Sequence, residues 1–436
     1  MVALVLPLLV ACHGTIKLQD DSTPVGHDST HESDSLPIVP DTDSPDSHSE
    51  SPPDSHESGD DSAVEPPPET PDVTVDCLGG GDFTTINAAI GASVSGTKIG
   101  LAPCTYSEDI NFIGKTLDIF GIEGSADTTI EGSGTGPVVT AIRGESVGTR
   151  LAGVTVTGGG GNGYGGGLWM NGSVMTLEDV VFTGNNRTYA VLYGQGISVT
   201  MIDTVFRNNH VLSGGVVTYI DNGNMLTSHM TLECGNADMG IYEHDATLLL
   251  DSVVDCPDAS YGIYVGSAEL SLRRSSVRGG SYGIYGADSN DTRNERMWVY
   301  NSTVVGAEVG ASAQYMHFKA DNAVFYGGSD GLVLDHCHVE SYVYDSALIG
   351  GDCALQTDRY AYALGWNAIG DGELCRAEGF STIVGDPKFV DAPNDFHLLS
   401  GSPLVDAGNP DPDHDDLDGS RNDVGAFGGA AGDWGP

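Results

Sequence analysis

The sequence predicts an all-β protein whose main domain is a right-handed parallel β-helix, a solenoid with coils of 21–27 residues and a short N-terminal capping helix. Three observations predict it: the composition, a recurring apolar row, and the spacing of the cysteines. The 436 residues include 61 Gly and only 7% aromatics. Glycine and β-branched residues weaken helices, so a large helix-on-sheet core is disfavoured.

The row comes next. An apolar residue stands three places after an Asp, Asn or similar residue, as Phe182 in LEDVVF, Phe206 in MIDTVF, Leu232 in SHMTL and Val254 in LLDSVV. It continues through Val277, Val304, Phe325, Leu348 and Ile369, at intervals of 24, 26, 22, 23, 27, 21, 23 and 21 residues. A second row interleaves with it: Gly167-Leu-Trp, Gly215-Val-Val, Gly240-Ile-Tyr, Gly262-Ile-Tyr, Gly283-Ile-Tyr, Gly310-Ala-Ser and Gly331-Leu-Val. Two rows of short strands per repeat are too compact for a propeller blade, and the Leu-x-x-Leu-x-Leu pattern of leucine-rich repeats is absent. Parallel coils stacked about 4.8 Å apart fit the period, each residue lying above its counterpart one turn earlier.

Eight cysteines test this independently. Cys234 and Cys256 each fall two places after a row residue in successive coils, and Cys353 and Cys375 are also 22 apart, continuing the glycine row. Residues stacked one coil apart are within the reach of a disulfide. The expected bridges are Cys234–Cys256 and Cys353–Cys375, with Cys77–Cys104 closing the N-terminal region and Cys337 left over. The alternative is buried free thiols. Bridges require an oxidising compartment.

The chain divides into three parts. Residues 1–12, MVALVLPLLVAC, are apolar but too short to span a bilayer as a helix, and read as a signal peptide. Leu9-Val10-Ala11-Cys12 resembles the lipobox of bacterial lipoproteins, which implies that Cys12 is lipidated and the protein exported, anchored to an outer membrane and exposed at the surface. The departure from that pattern is the lack of any Lys or Arg before the apolar run, which admits a start further upstream. Residues 13–72 form an acidic Asp/Ser/His/Pro linker; residues 1–72 hold 16 acidic residues and one basic residue. Such a segment cannot bury enough apolar surface to order itself and reads as a disordered tether. Residues 73–436 form the solenoid.

The formal charge of −45, from 17 Lys+Arg against 62 Asp+Glu, excludes nucleic acid as a partner, because a phosphate footprint needs clustered cations. It also argues against peripheral binding to anionic lipid. It suits calcium, or solubility outside the cell.

GDFTTINAAIGASVSGTKIGLAPCTYSEDINF (81–112) resembles the opening of the pectin-lyase-like right-handed β-helix superfamily, with Ile86, Ala89 and Ile90 at helical spacing for a cap. GDPKFVDAPNDFHLLSGSPLVDAGNP and DLDGSRNDVGAFGG, within 385–429, resemble the closing segment of many secreted bacterial β-helix proteins. The resemblance covers residues 73–430 and implies the fold. It leaves the chemistry open, because this fold hosts lyases, hydrolases, esterases, adhesins and scaffolds.

The signatures of the superfamily's polygalacturonase-like hydrolases and pectinesterase-like enzymes do not occur here as sets. Pectate lyases need a cation-bound acid site and a basic residue to take a proton, yet Lys319 is the only lysine between residues 116 and 387. Arg273, Arg274, Arg278, Arg293 and Arg296 make a small basic patch that a uronate would meet, with Asp288, Asp291 and Glu295 close enough in sequence to neutralise it.

GIYEHD (240–245) brings Glu243, His244 and Asp245 together as catalytic candidates. Strand alternation sends Ile241 inward and Tyr242 outward and places the charged trio at the turn beyond. Their counterparts one coil up are Val265, Gly266 and Ser267, and Asp221 is a candidate neighbour from the coil below. The stretch is therefore a rung first and a site second. Asp335, His336 and Glu340, in DHCHVE, are the other catalytic or metal-ligating candidates. A carboxylate pair at glycosidase spacing is a distance that sequence does not give.

Tyr242, Tyr264 and Tyr285 stack into a row that either binds a ligand such as a sugar or stabilises the sheet. Asn185 and Asn209 read as a structural amide stack. Asp411, Asp413, Asp415 and Asp418 alternate as in calcium loops, so calcium is the one cofactor expected, but Asp416 and Asn422 stand where an EF-hand needs Gly and Glu; an acidic turn is the alternative.

The leading reading is an exported, lipid-anchored surface protein that binds carbohydrate or mediates adhesion. The alternatives are a polysaccharide lyase or glycoside hydrolase, and a passive scaffold.

Overall fold

The computed structural model describes residues 69–161, 164–288, 295–338, 340–358, 363–370, 372–375 and 382–435. Cys12 and most of the linker lie outside the described residues. Among the described residues no helix is long and apolar enough to cross a membrane.

The chain winds into a parallel solenoid of about 12 turns. The apolar row sets its register. Phe182 pairs with Phe206, Phe206 with Leu232, Leu232 with Val254, and so on through Val277, Val304, Phe325 and Leu348 to Ile369. Val156, Ile130 and Tyr106 extend the row backward. All point inward and are buried. Phe182 and Phe206 stack with ring centroids 4.8 Å apart and planes 8° apart.

The polar residue three places earlier has a physical role. Asp179, Asp203, Asp251, Asn301, Asn322 and Asp345 occupy one corner of successive coils with φ between 43° and 49°. Asp and Asn tolerate this left-handed region better than other non-glycine residues, because the short side chain bonds locally. The recurring signal in the sequence is thus a column of one-residue turns.

Each coil contributes three strands, where the sequence pattern had suggested two. The third sheet runs through Lys98–Leu101, Asp118–Gly121, Ser198–Ile202 and Glu269–Arg273 to 342–344, with Leu177, Met201, Leu249, Leu272 and Val299 inward. Several coils pass from the second sheet to the third in one extended run, as in Met239–Leu250. No glycine punctuates that bend, so the sequence does not reveal it.

Two registers also differ from the sequence reading. Thr218-Tyr219, two residues beyond the expected Val216-Val217, lies beside Ile241-Tyr242. Cys353 lies beside Asp330 and Glu373, while Cys375 lies beside Gln356 across a register shift. The bridge still closes, with Cα atoms 5.7 Å apart. Cys77–Cys104 and Cys234–Cys256 are bridged as well, and Cys337 is a buried thiol.

At the N-terminal end the helix α1, Ile86–Ala92, covers the first coil with Ile86, Ala89 and Ile90. The Thr85 hydroxyl accepts from the Ala88 amide, and the Glu108 carboxylate accepts from the amides of Ile86 and Asn87 at 2.7 and 3.0 Å. The last residues assigned to the linker are held on the solenoid. Glu69 pairs with Lys98 at 3.2 Å and Arg150 at 2.8 Å, and the Asp72 carboxylate accepts from the Lys98 amide.

Beyond the last coils, Phe389–Asp391 and Asp395–Leu398 form an antiparallel pair. The following segment folds back over the first sheet, where Phe396, Leu404, Val424 and Ala426 bury against Val305, Val324, Ala347 and Ile349. Outward residues on this sheet are Arg207, Glu233, Asp255 and Arg278 upstream, but Val305, Tyr326 and Ile349 downstream. A sheet apolar on both faces is covered on both faces.

Candidate functional site

The strand Met239–Leu250 continues straight through GIYEHD, with no turn after Tyr242. Alternation therefore persists, and the charged trio disperses. Glu243 points into the solenoid between Ile220 below and Val265 above, 0% exposed. Its oxygens make no well-formed hydrogen bond; the Thr247 hydroxyl and His244 amide are the polar groups in reach. Burial holds its carboxyl well above the ordinary glutamate value. His244 lies outside, its Nδ1 3.6 Å from Asp221 Oδ1. The imidazole lies over Gly266, where a Cβ would come within 2.7 Å of the ring. Asp245 is exposed. Three groups facing three ways do not form an acid–base triad.

The tyrosine row is longer than the sequence suggested. Trp169, Tyr193 and Tyr219 precede Tyr242, Tyr264 and Tyr285 in register. From Tyr193 to Tyr264 successive centroids are 4.8, 4.7 and 5.4 Å apart, with planes within 4°. At those separations nearly parallel rings overlap in the offset-stacked arrangement. Each face is covered by the next ring, so the row presents edges and hydroxyls. Burial first, then neighbouring phenols, raise the pKa of Tyr219, Tyr242 and Tyr285, which keeps these hydroxyls as donors. Beside the rings runs a polar line in which Asn171 donates to Gln195 at 3.4 Å and Gln195 to Asp221 at 3.2 Å.

Asp335 and His336 do meet. His336 Nδ1 is 2.7 Å from Asp335 Oδ1 and 3.5 Å from Asp358 Oδ2, while the His336 amide donates to Asp358 Oδ1 at 3.0 Å. Asp358 was not anticipated, although it stands one coil period, 22 residues, after His336. Glu340 belongs to a separate group with His317 and His338.

Among the described residues Asp411, Asp413, Asp415 and Asp418 do not gather into a ligand group. Asp411 caps the 3-10 turn Pro412–His414 by accepting from the Asp413 amide, Asp415 ends that turn, and Asp418 accepts from the Ser420 amide at 2.9 Å. The residue of this loop that does meet carboxylates is His414, against Asp321 and Asp345.

Four described arginines of the basic patch diverge in their partners; Arg293 lies outside the described residues. Arg274 grips Asp251 with two bonds of 2.7 Å, Arg278 reaches Pro393 O, Asn394 and Asp255, and Arg296 lies 3.6 Å from Glu269. These acids stand one coil earlier, rather than nearby in sequence. Arg273 and Lys319 have no carboxylate in ion-pair contact among the described residues. Both are held by aromatic rings instead: Arg273 lies over Tyr300 at 5.6 Å, and Lys319 lies 5.7 Å from Trp298 and 5.3 Å from Tyr342. They occupy the outer face of the third sheet, where Leu226, Leu248, Ser271 and Trp298 line a groove of about 410 Å³ together with Arg273 and with Glu269, which faces Arg296. Lys319 stacks one coil beyond Trp298. The Trp298 Nε1–H and the Ser271 hydroxyl are buried without a partner.

Three strands per coil, inward apolar rows in unbroken parallel register and a helix across the first coil decide the architecture. The chain folds as a right-handed parallel β-helix. Solved structures similar to this β-helix include carrot pectin methylesterase, with 12% identity and a TM-score of 0.30 over 72% of this chain and 88% of that one. Pectate lyase Pel9A gives 13% and 0.36 over 79% and 91%, and the A-module of the Azotobacter vinelandii mannuronan C-5 epimerase AlgE4 gives 12% and 0.32 over 68% and 90%. No family model and no curated protein matches the sequence. The likeness is one of fold, and the site has to be argued from this β-helix alone.

On that basis the β-helix offers a groove with an indole and aliphatic flanks, and beside it two cations with no carboxylate in ion-pair contact among the described residues. The groove was missed in the sequence because Trp298, Lys319 and Arg273 belong to the third sheet, which left no periodic mark.

Proposed function

We propose that this is an exported, lipid-anchored β-helix protein whose solenoid binds an acidic polysaccharide along the outer face of the third sheet. The observation that carries this reading is the pair Arg273 and Lys319, which have no carboxylate in ion-pair contact among the described residues of a chain of net charge −45 and are held over rings beside a groove. A cation left unpaired among so many carboxylates is available to an anion, and an aromatic–aliphatic groove beside it suits the apolar face of a sugar ring. Anchoring rests on the Leu9–Cys12 motif and the acidic tether after it.

The test is binding of the full chain to a polyuronate and to a neutral polysaccharide of equal length. The polyuronate should bind more tightly, with affinity falling at least tenfold in an Arg273→Ala/Lys319→Ala double variant and as salt is raised. Equal affinity for the neutral polymer, or an undiminished double variant, overturns the reading. Shortening of the polymer replaces it with the lyase or hydrolase alternative.

A further inference from the structure

The C-terminal segment is fastened along the column of one-residue turns. Asn301 donates to Gly428 O at 2.7 Å, Asn322 to Asn422 Oδ1 at 3.0 Å and to Asp423 O at 2.9 Å. One coil further, Asp345 accepts from the Asn409 amide through Oδ1 at 2.6 Å, and its carbonyl accepts from Gly425. At this point the pattern of neutral amides gives way to a cluster of ionisable groups. Ligand atoms of Asp321, Asp345 and His414 lie within 4.8 Å of one another. Asp321 and Asp345 come from successive coils, and His414 from the loop laid over them.

The cluster is not an ordinary acidic turn. Asp345 is 0% exposed, and its Oδ2 has no hydrogen-bond partner; Asp321 Oδ1 is likewise buried and unpartnered. Leaving such oxygens unpaired is costly, and two adjacent buried carboxylates repel unless something positive lies between them. Burial pushes the Asp321 carboxyl up to about 6 and the Asp345 carboxyl, with Asp321 beside it, up to about 7. Arg421 offsets part of the Asp345 charge from a distance, but its guanidinium donates to the carbonyls of Gly408 and Ala407 and leaves both orphaned oxygens without a hydrogen bond. What the three side chains supply together is two carboxylates and one imidazole.

We infer that Asp321, Asp345 and His414 form a divalent-cation site, of mixed oxygen–nitrogen type suited to zinc, that pins the C-terminal segment to the solenoid. Zinc accepts imidazole and carboxylate ligands in low coordination number, whereas calcium takes six or more oxygens. A cation here meets both orphaned oxygens at once and joins three parts of the chain distant in sequence. The calcium reading of Asp411, Asp413, Asp415 and Asp418 is thereby separated from this site: those acids shape the loop, and the loop delivers His414.

The test uses the full chain stripped of metal and titrated with zinc alone, beside His414→Ala, Asp345→Asn and, as a control elsewhere, His210→Ala, an exposed histidine outside any ligand group among the described residues. Bound zinc is counted after dialysis against a weak chelator, and hydrogen exchange is followed across 402–434. The wild type and His210→Ala should each retain one equivalent more than His414→Ala, and zinc should slow exchange in that segment at least tenfold in these two proteins only. If Asp345→Asn fails to fold, His414→Ala decides alone, since it removes a partly exposed ring. Equal zinc in wild type and His414→Ala, or exchange unchanged by zinc, overturns the inference and leaves a carboxylate pair sharing a proton. Protection restored by calcium but not zinc also overturns it.

Discussion

Glu243 shows how much depends on which side of a strand a residue faces. Written beside His244 and Asp245 it looks catalytic; turned inward between Ile220 and Val265 it is a buried acid with no good partner. Burial raises its folded-state pKa above the ordinary 4.5. The sign follows: stability is fully present while the side chain is protonated in both states, and it is lost as pH rises through the folded value. Glu243→Gln should therefore flatten the part of the fall in urea midpoint from acid to neutral pH that this carboxyl causes. An unchanged pH profile would mean that the carboxyl is solvated. Glu145 is the contrast. It too is buried, yet its carboxylate accepts from Gly114 and Arg143 amides and the Ser173 hydroxyl at 2.7–2.9 Å, and its pKa is held below the usual value despite burial.

At the level of elements, identical neighbours one coil apart are the unit of stability. The Asn185 side chain donates to Asn209 Oδ1 at 3.1 Å, and so does the Asn185 amide; Asn209 in turn donates to Phe182 O. Ser252, Ser275 and Ser302 repeat the device: the Ser275 and Ser302 hydroxyls accept from the amides of Ser252 and Ser275 at 3.1 Å, and the Ser252 hydroxyl from the Met230 amide at 3.2 Å. Removing one member strands its neighbour's donors. Asn209→Ala should cost about 1–3 kcal/mol, measured by urea unfolding, because the buried Asn185 backbone amide loses its acceptor and the Phe182 carbonyl loses a donor. A loss within error of zero would show that water replaces the amide. The tyrosine row belongs to the same class of repeated contact, with its ring faces satisfied by one another.

For the whole molecule, a solenoid has two ends, and each would expose an apolar cross-section or edge unless covered. Helix α1 covers the first coil. The segment after residue 395 instead covers the outer face of the later coils, over Val305, Val324, Ala347 and Ile349. Leu404, fully buried there, is the lever: Leu404→Ala should destabilise this face by about 2–5 kcal/mol. Limited proteolysis should then cut within 402–434 first, while coils upstream of Ser276 keep their hydrogen-exchange protection. Simultaneous loss of protection along all coils would show that the segment and the solenoid unfold as one unit. Polyuronate binding on the third sheet should survive this substitution, because Arg273, Trp298 and Lys319 belong to the coils themselves.

By itself the sequence determined the coil period, the inward row from Phe182 to Ile369, the capping helix, the Asn185–Asn209 stack and the Tyr242–Tyr264–Tyr285 rungs. All these are contacts between residues one coil apart, and a contact that recurs at the chain's own period is written into the sequence as a repeat. Only the tertiary structure decided the third sheet, the facing of Glu243, the register of Tyr219, which arginines are neutralised, and the meeting of His414 with Asp321 and Asp345. The third sheet escaped because the break before it changes from coil to coil, through Gly172, Gly196, Asn222 and Ser267, and the bend within Met239–Leu250 has no glycine. The C-terminal contacts escaped for a different reason. Asn409 reaches Asp345 across 64 residues and Asn322 reaches Asn422 across 100; each such pairing occurs once, so no period records it.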